Sequence, residues 1–483
     1  MAPTAMDSPR THTQRSRAQP TAWVETYGCQ MNVSDGELMQ GVLAAGGWAL
    51  AESPESADVI LVNTCAIREH AEQRVLGRVG ELNRLKRDRP DLVIGVTGCM
   101  AQRMAEDLLH RAPWVDLVMG PDAYRSLPDV LARLRPGVAP VPPVERRGAL
   151  PVLGSTHDAP PRLAVVEWDA QENYEGLAVH RASRVSAWVP VQRGCNHRCT
   201  FCIVPYVRGP EKNRAPDRIL DEVRQIAGRG ITEVVLLGQT VNSWQWQEWR
   251  FPELLRAVAR VDGIRRVRFT SPHPNDFSHE LVEVMATEPA VCNQLHLPVQ
   301  SGHDRTLKRM LRRYTVEAYL VKIEIVRAAI PDIALSTDVI VAFPGETAEE
   351  YDATVSLLRS VRYDDAYLYK YSERDGTPAT RLPREQFLAP DVAQSRLERI
   401  IAVQRAIQAE INAGEVGREV EVLVERQARS TGDVLGRTRT SKVAAFPGDP
   451  TLIGSYCRVR LTATTGATFR AELIESATLG RVA

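Results

Sequence analysis

Eight cysteines stand in this chain, and six of them fall into two sets of three. The first set is local: Arg193-Gly194-Cys195-Asn196-His197-Arg198-Cys199-Thr200-Phe201-Cys202 carries Cys195, Cys199 and Cys202 as a C-x3-C-x2-C run. Three thiolates this close converge on one centre. Half a zinc site is one reading, since zinc knuckles use C-x2-C pairs, but structural zinc needs a second such pair nearby and none follows. His197 is an alternative fourth ligand, although its neighbours make a tetrahedral wrap awkward. Three cysteines suit a 4Fe-4S cluster with one iron left open for a substrate or cofactor.

The second set, Cys29, Cys65 and Cys99, is dispersed at spacings of 36 and 34 residues. Each ends a short β-run: Trp23 to Gly28, Asp58 to Thr64, and Leu92 to Gly98. Helical stretches, Asp35 to Ala45 and Glu69 to Arg87, separate them. Strand–helix alternation predicts a parallel sheet with right-handed crossovers. All three thiols would then emerge at its carboxyl edge, where open α/β folds bind ligands. Gly28 and Gly98 would let the backbone come close to a bulky centre. Three buried structural cysteines are the plain alternative; three matching strand ends favour a second metal site. Cys292 and Cys457 have no partners in sequence and read as structural.

The elements that must position these thiols form an α/β chain. Its 483 residues, 44% hydrophobic and 25% charged, exclude a mainly disordered or collagen-like protein. Length alone predicts about three domains. No apolar stretch approaches a membrane span, and residues 1–20 read as a disordered tail without a secretory h-region. Residues 21–135 form the N-terminal cysteine domain, ending with the strand Val115 to Met119 and a helix from Tyr124 to Leu134. Residues 136–180, rich in proline, read as a linker with one strand, Leu163 to Glu167. Residues 181–413 hold six candidate strands: Ala187–Gln192, Glu233–Gly238, Arg266–Thr270, Asn293–Val299, Ile333–Val341 and Asp365–Lys370. Helices between them predict a partial (βα)6 barrel with its chemistry on the loops after the strands. Residues 414–483 switch to alternation, with four strands and room for a fifth, which suggests a small barrel of the oligonucleotide-binding kind.

The run RGCNHRCTFCIVPYVRG resembles the radical-SAM signature of the methylthiotransferases. TYGCQMN, NTCAIREHAEQRVLGR and TGCMAQR resemble that family's N-terminal cysteine domain, and the C-terminal module looks like a TRAM RNA-binding domain. TYGCQMN, AIREHAEQ, GCMAQR, TSPHP and STDVIVAFPGET resemble the tRNA branch, which makes 2-methylthio-N6-(dimethylallyl)adenosine. Thr240 departs from the asparagine more usual there. The resemblance implies two 4Fe-4S clusters, on Cys195, Cys199 and Cys202 and on Cys29, Cys65 and Cys99, and two molecules of S-adenosylmethionine. It also implies a radical step, because the C2–H bond of an adenine is neither acidic nor a leaving position, followed by sulfur insertion and methyl transfer.

Gly238, Gln239, Asn242, Gln300, Ser301, Thr337 and Asp338 lie at or just after strand ends and are candidates to line the cofactor pocket; loop capping is the plain alternative. The basic residues from Arg208 to Arg214, with Lys308, Arg309, Arg312 and Arg313, are candidates for tRNA phosphates, or a solvated face. Trp244, Trp246 and Trp249 are candidates to stack on a splayed base, or to pack in the core. Sixty basic residues balance sixty acidic ones, so a wholesale nucleic-acid coat is excluded. The expected partners are the anticodon stem-loop of tRNA and an electron donor such as flavodoxin or ferredoxin, with the sulfur source unspecified. The expected protein is a cytoplasmic monomer with no membrane contact. Two rival readings remain: a sister enzyme acting on a ribosomal-protein aspartate or on threonylcarbamoyladenosine, and a non-catalytic iron–sulfur RNA-binding redox sensor.

Overall fold

The structure, a computed structural model, describes residues 19–66, 69–135, 162–429 and 432–477. The expected tail up to residue 18 and the proline-rich stretch 136–161 lie outside the described residues.

The fold opens with six parallel strands: β1 (Thr21–Thr26), β2 (Ala49–Leu50), β3 (Val59–Thr64), β4 (Val93–Gly98), β5 (Leu117–Met119) and β6 (Leu163–Val165). They lie in the order β2-β1-β3-β4-β5-β6. β3 and β4 are buried along their whole length because helices cover both faces of the sheet. Successive residues alternate between two cores. Val59 and Leu61 face Leu38, Met39 and Leu131, while Ile60 and Val62 face Val75, Val79 and Leu108. The strand expected within the linker forms as β6, hydrogen-bonded to β5, and Tyr174 packs into the same core. Within the stretch expected as a linker over 136–180, Leu163, Val165 and Tyr174 thus pack with the core of the first sheet.

The central domain carries β7 (Ser186–Pro190), a ribbon of β8 (Gln192–Arg193) with β9 (Lys212–Asn213), β10 (Glu233–Leu237), a hairpin of β11 (Gln245–Trp246) with β12 (Trp249–Arg250), β13 (Arg266–Phe269), β14 (Gln294–His296), β15 (Ala334–Val341) and β16 (Asp365–Lys370). Two parallel sheets, β13-β10-β7 and β14-β15-β16, meet through a bridge between Val267 and Val291. The result is an open curve of six main strands with helices outside, the partial barrel that the sequence predicts. The long helix Pro390–Ala413 closes the far edge, with Gln404 donating to the Tyr363 carbonyl at 2.8 Å.

Five strands close the C-terminal barrel: β17 (Glu419–Gln427), β18 (Asp433–Thr438), β19 (Val443–Pro447), β20 (Tyr456–Thr464) and β21 (Thr468–Ala477). β19 is the fifth strand for which the sequence leaves room. Two arginines of β13 join this barrel to the central domain. Arg266, wholly buried, donates to the Arg437 carbonyl at 2.7 Å and to Glu421 Oε1 at 2.9 Å, and lies over the Tyr456 ring. Arg268 donates to the Thr438 carbonyl at 2.7 Å. Among the described residues no helix is long and apolar enough to cross a membrane.

Candidate functional site

β1, β3 and β4 are neighbours, and Cys29, Cys65 and Cys99 follow their carboxyl ends. The register pairs Thr26 with Asn63 and Thr64 with Gly98, so the thiols leave one edge of one sheet. Two glycines make the crowding possible. Gly28 has φ +131°, and a Cβ there would lie 2.6 Å from the Cβ of Cys65. Gly98 has φ +92°, and a Cβ there would lie 2.5 Å from the Thr64 carbonyl oxygen. Asn32, which the sequence did not single out, donates to that carbonyl at 2.9 Å and accepts from the Cys29 thiol at 3.2 Å. A hydrogen bond from Cys65, aided by the Arg208 charge against burial, lowers the Cys29 thiol to about 6. Burial raises Cys99, with Arg208 opposing.

The C-x3-C-x2-C loop leaves β8 and is tied at both ends. The Cys195 amide donates to the Gly209 carbonyl at 3.0 Å, and the Cys202 amide to the Cys199 carbonyl at 3.0 Å. Cys195 Sγ lies 3.1 Å from Thr240 Oγ1, and Arg312 donates to Cys199 Sγ at 3.5 Å. Burial raises the Cys195 thiol and pushes Cys202 up to about 12. Metal binding must displace these protons, since only a thiolate ligates.

His197 turns to Asp276, with Nε2 2.8 Å from Oδ2, and stacks on His273 with ring centroids 3.8 Å apart. Among the described residues this trio alone has three ligand atoms all within 4.8 Å of one another. Its parallel rings aim their nitrogens into separate planes, a poor geometry for one shared ion. Neither cysteine trio closes to that spacing, whereas ligands about 2.3 Å from one tetrahedral zinc sit about 3.8 Å apart. The donor set therefore suits a multi-iron centre better than a single zinc ion.

The structure brings the two trios to one domain interface. Cys99 packs with Ala66, Ile203 and Val207, and Ile203 follows Cys202 in the chain. Cys29 packs with Met31, Val235, Leu237 and Trp188, so it faces the strands of the central barrel. Asp35, fully buried, pairs with Arg193 at 2.6 Å and with Arg208 at 2.8 Å. Arg208 also donates to Cys99 Sγ at 3.1 Å.

Comparison with known proteins agrees with this three-part layout. Residues 21–120 match the uncharacterized protein family UPF0004, 189–358 the radical SAM superfamily and 414–474 the TRAM domain. The chain is 40% identical over 451 residues to the tRNA-2-methylthio-N(6)-dimethylallyladenosine synthase of Carboxydothermus hydrogenoformans, covering 92% of this chain and 97% of that one. It is 41% identical over 450 residues to the enzyme of the same name from Chloroherpeton thalassium, covering 92% and 94%. The chain belongs to the radical-SAM tRNA methylthiotransferases. Among solved structures, the radical S-adenosylmethionine methyltransferase TsrM of Kitasatospora setae shares the fold, with TM-score 0.53 at 13% identity over 81% of this chain and 89% of that one. As a radical-SAM enzyme, this methylthiotransferase uses an iron–sulfur cluster and S-adenosylmethionine.

The remaining candidate residues of the methylthiotransferase divide into two groups. Asn242 spends both ends of its amide on the His273 backbone, at 2.9 and 2.7 Å. Thr337 donates to the Leu297 carbonyl and accepts from the Val299 amide, and Ser301 contacts Thr354. A Cβ on Gly238 would meet Val241 at 2.8 Å. These four shape the loops. Gln239 and Gln300, by contrast, each bury an amide oxygen with no partner among the described residues. Asp338 pairs across strands with Tyr367 and lies 3.5 Å from His296 Nε2; Tyr367 is half exposed.

Most of the basic residues expected to hold phosphates are engaged elsewhere. Lys212 pairs with Asp122, Arg214 with Glu222 and Arg309 with Glu350. Arg208 and Arg312 are buried against cysteines, because a guanidinium taken from water needs a partner. Lys308 and Arg313 stay exposed. Trp244 is a core residue whose indole donates to the Arg214 carbonyl, while Trp246 and Trp249 pair across the β11–β12 hairpin.

Proposed function

We propose that this enzyme adds a methylthio group at C2 of N6-(dimethylallyl)adenosine in tRNA, immediately 3′ of the anticodon, using two 4Fe-4S clusters and two molecules of S-adenosylmethionine. The observation that carries this reading is the meeting of two cysteine trios at one interface, with Cys99 packed on the residue that follows Cys202. Cys195, Cys199 and Cys202 are the ligands for the cluster that binds S-adenosylmethionine, and Cys29, Cys65 and Cys99 hold the second. When bound, the first cluster supplies the electron for reductive cleavage and the second supplies the sulfur.

The chain's own residues bind, orient and keep the site dry. Gln239 and Gln300 offer their unpartnered amide oxygens to polar groups of S-adenosylmethionine. Tyr367, with Asp338 and His296 beside it, gives a splayed adenine a face to stack on and polar atoms to meet its edge. Met31, Val235 and Leu237 pack around Cys29 and exclude water there. The C-terminal barrel holds the tRNA body, and a tRNA substrate places the work in the cytoplasm.

Mass spectrometry of tRNA nucleosides from a strain lacking the protein tests substrate and reaction together. Loss of the methylthio group with accumulation of the dimethylallyl precursor is expected. An unchanged profile would transfer the reading to the ribosomal-protein or threonylcarbamoyl branch. Cys199→Ala is expected to abolish S-adenosylmethionine cleavage and keep tRNA binding. Cys65→Ala is expected to spare cleavage and stop sulfur insertion; full methylthiolation by that variant would remove the second cluster's role.

A further inference from the structure

The seam between the first two domains holds a charge imbalance that the protein side chains leave open. Arg193 and Arg208 bring two guanidinium groups to one carboxylate, Asp35, and the side chains of all three are at most 6% exposed. Among the described residues Asp35 is the one carboxylate in ion-pair range of either arginine. Arg193 offsets part of its charge against the Tyr174 ring, 4.4 Å from the centroid. Among the described residues no ring lies over Arg208. Its Nε donates to Cys99 Sγ at 3.1 Å, one terminal nitrogen donates to Asp35, and the other is buried with no hydrogen-bond partner among the described residues.

A buried guanidinium with one unmet donor and a surplus positive charge is costly unless an anion lies beside it. The nearest source of negative charge is the thiolate set of Cys29, Cys65 and Cys99, which metal binding completes by displacing the remaining thiol protons. From this we propose that Arg208, a residue of the central domain, is a positioning residue for the centre on those three cysteines. It donates hydrogen bonds to the sulfur of that centre and offsets its charge across the domain seam. Asp35 fixes the guanidinium plane and moderates its charge. Hydrogen bonds to sulfur and net local charge are levers that set an iron–sulfur potential, so the domain that binds S-adenosylmethionine tunes the neighbouring centre.

This inference rests on the second-cluster reading, and the experiment separates the two. The parent is the full chain with Cys195→Ala, Cys199→Ala and Cys202→Ala, so that Cys29, Cys65 and Cys99 remain as the trio, reconstituted without oxygen from iron and sulfide. In it are placed Arg208→Gln, Arg208→Lys and Asp35→Asn, and iron content, electron paramagnetic resonance and midpoint potential are measured. Removing positive charge disfavours the reduced cluster, so Arg208→Gln should shift the potential to more negative values. Removing negative charge does the reverse, so Asp35→Asn should shift it to more positive values. Arg208→Lys keeps the charge and loses the planar fork, so it should fall between the parent and Arg208→Gln. Loss of packing alone does not produce shifts of opposite sign. Unmoved potentials, or shifts of the same sign in Arg208→Gln and Asp35→Asn, overturn the role of Arg208. Should Arg208→Gln fail to fold, the Lys and Asn variants carry the same opposition of sign. A parent that binds no cluster overturns the second-cluster reading, and this inference with it.

Discussion

Changing Gly98 to alanine puts one methyl group at the point where the second thiol trio is assembled. The backbone there has φ +92° and ψ −160°, a region that is essentially glycine-only and costs an L-residue about 1–3 kcal/mol. The new Cβ would also lie 2.5 Å from the Thr64 carbonyl oxygen, 2.6 Å from Asn63 Oδ1 and 3.0 Å from the Thr64 amide nitrogen. Two of those atoms are backbone of the neighbouring strand, so relief requires β3 and β4 to part rather than a side chain to rotate. Overpacking of that kind costs about 1–3 kcal/mol more. The total, about 4 kcal/mol, lowers the local opening free energy enough for a change of about a thousandfold. The strain is focused on the Thr64 carbonyl, which holds Asn32, and on the peptide that leads into Cys65. Hydrogen exchange at the ends of β3 and β4, read with iron per protein, is the assay. Protection there should fall by about a thousandfold, and the iron attributed to the second trio should be lost while S-adenosylmethionine cleavage persists. Gly95→Ala in the same strand is the control, because its Cβ meets Leu61 Cδ2 at 2.8 Å, the far end of a flexible side chain, without a positive φ. Exchange within about tenfold of the unaltered protein, together with full iron loading, would refute the reasoning.

Three further outcomes follow from particular contacts. In metal-free protein, iodoacetamide should label Cys29 fastest of the six candidate ligands, its rate rising with pH through about 6 and levelling above, while Cys202, held near 12, stays unlabelled at neutral pH; a Cys29 rate still climbing between about pH 7 and 9 would contradict this. Arg266→Met strips donors from the Arg437 carbonyl and Glu421 and should loosen the C-terminal barrel by about 3 kcal/mol, lowering tRNA-dependent product without changing S-adenosylmethionine cleavage; unchanged hydrogen exchange around Tyr456 would count against it. Tyr367→Ala removes a half-exposed ring from the open interior and should raise the KM for tRNA by about 5–150-fold, the worth of one stacked base; an unaltered KM would remove Tyr367 from the base site.

Features written in short stretches of chain were legible in the sequence. β1, β3 and β4 read as apolar runs ending at or just before a cysteine, and their parallel order follows from the helices between them. The C-x3-C-x2-C run declares its chemistry in ten residues. Contacts between distant residues were not legible. Arg208 and Arg312 look like members of solvated basic runs, yet Arg208 meets Asp35 across 173 positions and Cys99 across 109. Spacing in one sequence cannot distinguish a buried arginine from an exposed one when its partner lies in another domain. Asn242 lies in the turn after β10, but Thr337 and Asp338 lie inside β15 rather than at its end, because that strand starts at Ala334 and runs on to Val341; the side chains of Asn242 and Thr337 turn back onto the backbone. The strand at Leu163 was legible but its partner was not: Leu163–Val165 is too short, and too far from β5 along the chain, to announce its sheet.

The polarity of the seam has a consequence for ancestry. Asp35, Glu37 and Asp122 stand on the N-terminal side, and Arg193, Arg208, Arg181 and Lys212 face them from beyond the proline-rich stretch. A chimera that joined the first domain of one relative to the central domain of another would inherit half of each pair. Such a chimera keeps its pairs only where both parents carry the same acids and bases at these positions; where they differ, a buried charge is left unpaired at a cost that neither domain shows alone. A handful of buried charges thus makes each module fit only a partner module that supplies the opposite signs.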